Sequence, residues 1–99
     1  MNTIRLNGSR MLDRETTHAY LKRKLNLPDY YGNNLDALWD CLSTDFTPKK
    51  IVISEPDAIM EKLGPYGEAL LQVFKEVAED NSFFVVEIEK KEATKKTEF

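Results

Sequence analysis

Lys49-Lys50-Ile51-Val52-Ile53-Ser54 holds three consecutive β-branched residues between polar flanks. Two heavy atoms on each Cβ restrict χ1 and favour an extended chain. A short apolar run without alternation predicts a strand buried on both faces. Pro56 follows closely and opens a short helix carrying Ile59, Met60 and Leu63, which Gly64-Pro65 stops. From Tyr66 to about Glu79, Leu70, Leu71, Phe74, Val77 and Ala78 keep a helical period. Phe83-Phe84-Val85-Val86-Glu87-Ile88 then predicts a further strand. Strands separated by helices need a crossover connection, and crossovers make parallel neighbours.

The same pattern extends upstream. In Thr3 to Leu6, Ile4 and Leu6 fall on one side and Arg5 on the other, which suits a short strand. Gly8-Ser9 turn the chain. Asp13 is placed to cap a helix running to Lys24 or Leu25, with Thr17, Leu21 and Leu25 inward. Pro28 prevents its continuation. Tyr30-Tyr31-Gly32-Asn33-Asn34 lead into a second helix, where Leu35, Leu38, Trp39 and Leu42 recur at i, i+3, i+4 and i+7. The expected architecture is therefore α/β: a three-stranded parallel sheet packed with about four helices. Residues 1–89 form the expected domain. Lys90 to Phe99 are mostly charged, lack either periodicity, and are expected to be a disordered tail.

Composition narrows the function. Ninety-nine residues make one small domain, with function on a surface or shallow groove. The net charge of −3 argues against nucleic acid as a direct partner, because phosphate binding needs a basic footprint. Cys41 is the single cysteine, so neither a disulfide within the chain nor a cysteine metal cluster can form. The N-terminal residues lack the apolar run of a signal peptide, and no stretch approaches the roughly 20 apolar residues of a membrane span. A cytoplasmic protein is the expectation. His18 has no partner at metal-ligand spacing and reads as a structural histidine. Cys41 reads as a small buried hydrophobe.

The second helix carries the sharpest functional signal. Asp36, Asp40 and Ser43 are spaced i, i+4, i+7 and fall off the apolar stripe, so they form a polar ridge pointing away from the core. Asp45 extends the line. Like charges four apart repel by a few tenths of a kcal/mol, and the helix dipole offsets part of this at Asp36. Spacing alone leaves several uses open: a solvated face, a pair of glycosidase-type carboxylates, a hard-metal site, or a charge ridge for a basic protein. The metal reading lacks an oxygen-rich loop, and the glycosidase reading lacks an evident cleft. Of Tyr30 and Tyr31, one can pack in the core while the other is exposed beside the charges. Gly32 suggests a positive φ or a close approach by a partner. Glu76 alone, off the stripe of the last helix, signifies a solvated face.

The run Tyr30-Tyr31-Gly32-Asn33-Asn34-Leu35-Asp36-Ala37-Leu38-Trp39-Asp40-Cys41-Leu42 resembles the barstar family, inhibitors of bacterial ribonucleases of the barnase type. Lys24-Leu25-Asn26-Leu27-Pro28 and Leu71-Gln72-Val73-Phe74-Lys75-Glu76 reinforce the likeness. It extends to about Ile88 and is weakest between Thr44 and Tyr66. The resemblance implies that the second helix and its preceding loop enter the nuclease's active site. Tyr30 then packs on the catalytic histidine, and Asp36 and Asp40 are the helix aspartates, Asp40 filling a phosphate pocket. Ser43 replaces a threonine, Glu76 is a peripheral acidic contact, and Gly32 and Asn34 shape the approach. Tyr31 and Asp45 complete the candidate set.

The function implied by the resemblance is stoichiometric 1:1 inhibition of a basic, extracellular-type, barnase-like ribonuclease. Such a protein is not an enzyme, uses no cofactor or metal, and touches neither nucleic acid nor membrane. The alternative is an interaction module of the same fold serving another basic protein. Thr44 and Asp45 depart from the family's glycine and tryptophan. An aromatic rim contact is lost and a charge gained, which implies a partner with a different, more basic rim.

Overall fold

The structure, a computed structural model, describes residues 2–89. The tail expected over residues 90–99 lies outside the described residues. Three strands, β1 (Asn2–Asn7), β2 (Lys49–Ser54) and β3 (Phe84–Ile88), form one parallel sheet in the order β1-β2-β3. Helices α1 (Arg14–Leu25) and α2 (Leu35–Ser43) connect the first pair of strands, after a 3-10 turn at Gly8–Arg10. Helices α3 (Pro56–Leu63) and α4 (Pro65–Asp80) connect the second pair. The α/β architecture expected from the periodicities is the one observed.

Local chemistry explains the boundaries. Asp13 caps α1, its carboxylate accepting from the Thr16 N–H at 2.7 Å, and Asn26 ends the helix in the left-handed region at φ 55°. Prolines begin α3 and α4, where a missing N–H costs nothing. The two helices touch closely at Gly67: a Cβ there would stand 2.6 Å from the Ile59 carbonyl oxygen.

The burial expected for β2 on both faces is observed. Ile51, Val52 and Ile53 are all buried, but the two faces differ. Ile51 and Ile53 join Leu6, Phe84 and the inward residues of the helices in one core. Val52 points the other way, in register with Arg5 and Glu87. On that face Thr3, Arg5, Val85 and Glu87 are exposed, and Arg5–Glu89 (2.8 Å) and Lys50–Glu87 (3.0 Å) pair across the strands. Long charged side chains flank the central valine with apolar stems, and their heads stay wet. Among the described residues no helix is long and apolar enough to cross a membrane.

Candidate functional site

Helix α2 takes its orientation from its apolar stripe. Leu38 and Leu42 are fully buried, while Leu35, Trp39 and Cys41 pack half-buried against the same core. The opposite side must then face water, and Asp36 and Asp40 are exposed on it. Asn34 begins the helix. Its side-chain oxygen accepts from the Ala37 N–H at 2.7 Å, and its amide donates to the Gly32 carbonyl at 3.2 Å. One asparagine thus fixes both the first turn and the loop before it. At the other end, the Thr44 hydroxyl donates to the Asp40 carbonyl at 2.7 Å.

The ion pairs of the described residues are Arg5–Glu89, Lys49–Asp45 and Lys50–Glu87. Asp36, Asp40 and Glu76 enter none of them. Glu76 is exposed on α4 and accepts a hydrogen bond from the Gln72 amide at 3.1 Å. Asn81 joins the C-terminal ends of α2 and α4, its amide donating to the carbonyls of Leu42 (3.1 Å) and Asp45 (2.8 Å). Glu76 precedes this junction by about 7 Å of helix and Asp40 by about 3 Å, at 1.5 Å per residue. Asp40 and Glu76 therefore stand within about one helical turn of each other in height on neighbouring helices.

Other expected site residues lie differently. Tyr30 is 86% exposed, whereas Tyr31 is 5% exposed and belongs to the core. The Tyr31 hydroxyl meets His18 Nδ1 at 2.6 Å, and the far nitrogen of that imidazole meets the Tyr66 hydroxyl at 2.6 Å. Tyr31 therefore anchors the loop from beneath and offers no contact surface. Burial lowers the His18 pKa and raises those of both tyrosines. Gly32 has no positive φ. The left-handed residue is Asn33, at φ 57°, and a Cβ on Gly32 would meet only ordinary contacts at 3.4 Å or more. Of the two reasons for a glycine there, the backbone turn is excluded.

Asp45 is not a free extension of the ridge. It is half-buried, Lys49 Nζ lies 2.6 Å from its carboxylate, and the Thr47 N–H donates to it at 2.9 Å. Desolvation alone would raise its pKa, but the ammonium and the N–H outweigh that and the net shift is downward. Ser43 is half-buried at the end of the ridge. Cys41 is also half-buried; burial, with Asp40 alongside, pushes its thiol up and keeps it protonated.

One feature of the surroundings has no local signature in the sequence. Arg14, Asn33, Asn34, Asp36 and Tyr66 line an open groove of about 480 Å³ beside the start of α2. The Arg14 guanidinium lies 4.2 Å from the Tyr66 ring centroid. Arg14 and Tyr66 are 52 residues apart, so no short-range spacing links them. Chemically the whole arrangement is a display of exposed carboxylates on a helix, with an exposed tyrosine in the loop before it. Asp36 and Asp40 stand side by side one helical turn apart, which does not place them across a substrate bond as glycoside hydrolysis requires. Among the described residues no group of three His, Cys, Asp or Glu gathers to hold a metal ion.

Comparison with known proteins agrees with the motif. The family model described as Barstar (barnase inhibitor) matches residues 1–99. A protein of Bacillus subtilis (strain 168) named "Putative ribonuclease inhibitor YrdF" is 40% identical over 82 residues, covering 81% of this chain and 89% of that protein. By the extent of both matches, the chain belongs to the barstar family.

Proposed function

We propose that this chain is a stoichiometric inhibitor of a basic, extracellular-type ribonuclease of the barnase class, bound 1:1 in the cytoplasm. Helix α2 and the loop before it occlude the active site. The observation that carries this reading is that Asp36 and Asp40 are exposed and enter no ion pair among the described residues. A ribonuclease site binds phosphates with cationic side chains. Carboxylate oxygens held on a rigid helix present the same charge-assisted acceptors. Their mutual repulsion on the free helix is relieved when a cationic pocket neutralises them. Exposed Tyr30 adds an aromatic contact beside the charges, and Glu76 a peripheral one. Nothing in such a complex turns over: the inhibitor occupies the site and leaves unchanged.

Titration of the ribonuclease's RNA cleavage with this chain tests the reading. Activity should fall linearly to zero at one equivalent. Asp40→Ala should raise the inhibition constant at least thirtyfold, the factor corresponding to about 2 kcal/mol for a hot-spot residue. An unchanged constant in a folded variant would contradict the assignment. Salt-dependent binding to a basic protein, without inhibition of any ribonuclease, would instead identify an interaction module of the same fold.

A further inference from the structure

Past the C-terminus of α2, two aromatic rings stand in solvent against each other. Phe46 is 64% exposed and Phe83 41% exposed, with centroids 5.8 Å apart in an edge-to-face arrangement. They come from different connections, one before β2 and one before β3. The backbone holding them is stapled. Asn81, only 4% exposed, donates to the carbonyls of Leu42 and Asp45, and its side-chain oxygen accepts from the Phe83 N–H at 3.0 Å. The Lys49 N–H donates to the Phe83 carbonyl at 3.0 Å. The pair is thus presented on a fixed platform, and exposing it costs the free chain apolar hydration.

We infer that Phe46 and Phe83 form an apolar rim of the ribonuclease-binding surface and pack on an uncharged apolar patch beside the nuclease's active-site mouth. This rests on the inhibitor reading and names a second part of that surface. Three observations commit the site to this occupant. The first is continuity. From Asp40, three helical residues and three extended ones place Phe46 within about 15 Å. A standard interface covers about 800 Å² per partner, a disc reaching about 16 Å from its centre. A partner centred on Asp40 that extends past the C-terminus of α2 therefore reaches the pair. The second is charge. Asp45, the carboxylate adjacent to Phe46, is paired with Lys49 at 2.6 Å, so it does not carry the negative ridge on to Phe46. The third is rigidity, because an anchor already ordered in the free chain loses little entropy on binding.

The test compares Phe46→Ala, Phe83→Ala and Asp40→Ala on barnase and on the secreted ribonuclease of the source organism, using whichever the unaltered chain inhibits. Both phenylalanines are exposed, so the fold should survive, which circular dichroism checks. Each phenylalanine variant should raise the inhibition constant about tenfold through faster dissociation, with the salt dependence of association unchanged. Asp40→Ala should weaken inhibition and reduce the salt dependence. If the phenylalanine variants inhibit as well as the unaltered chain while Asp40→Ala does not, the apolar rim is overturned and the inhibitor reading stands. If sedimentation shows the free chain to be a dimer that these variants dissociate, a second copy is the occupant and the rim is again overturned. If the unaltered chain inhibits neither ribonuclease, the inhibitor reading fails and the rim with it.

Discussion

Gly32 separates stability from recognition. Its backbone lies outside the positive-φ region, and a methyl group would meet the Ala37 Cβ at 3.4 Å, an ordinary contact. The fold therefore tolerates alanine, which also lowers the entropy of the unfolded chain. Gly32→Ala should leave the urea midpoint unchanged or slightly raised, within about 0.5 kcal/mol. The same methyl group projects from the loop that, on our proposal, enters the nuclease, so the inhibition constant should rise. Equal inhibition by the variant would show that the partner does not approach Gly32. Asp45 gives the opposite lesson: a residue with the right charge in the right line is spent on its own lysine, 2.6 Å away.

Among the elements, His18 joins three. Its ring links α1 to the loop through Tyr31 and to α4 through Tyr66, both at 2.6 Å. A neutral imidazole satisfies this by donating at one nitrogen and accepting at the other. Burial holds the folded-state pKa below the ordinary value near 6.5. As pH falls through 6.5 the unfolded chain therefore takes up a proton that the folded chain refuses, and stability declines until the folded pKa is reached. His18 is the only histidine, so this window belongs to it. The urea midpoint should fall between pH 7.5 and 5.5, and His18→Gln should be less stable overall but flatter across that range. A steep slope retained in the variant would show that another group is responsible.

Elements were legible where their signals are local. The stripe of Leu35, Leu38, Trp39 and Leu42 defines α2 and thereby the side on which Asp36 and Asp40 stand. The β-branched run marks β2, and Asp13 and the prolines mark helix starts. What escaped depends on distant neighbours. The identity of the buried tyrosine is decided by His18 and Tyr66, and the Phe46–Phe83 pair by a platform assembled from both crossovers. The solvent-facing side of the sheet escaped because ion pairs across strands can shelter Val52 as well as a helix would.

At the scale of the molecule, the carboxylates differ in whether a cation neutralises them. The carboxylates on the open sheet face are neutralised by Arg5 and Lys50, whereas Asp36, Asp40 and Glu76 enter no ion pair among the described residues. A field built from unpaired charges steers a basic partner over about a Debye length, about 8 Å at physiological salt, and weakens as salt is added. The central claim is that these negative oxygens, held rigidly outward, are what the nuclease binds in place of RNA. Replacing Asp36 and Asp40 together by asparagine keeps the side-chain shape and removes only the charge. Association rate and inhibition constant, measured at low and physiological salt, should show at least a hundredfold loss of inhibition and a flattened salt dependence, with the fold intact. Undiminished inhibition by that double variant, at either salt concentration, would contradict the account.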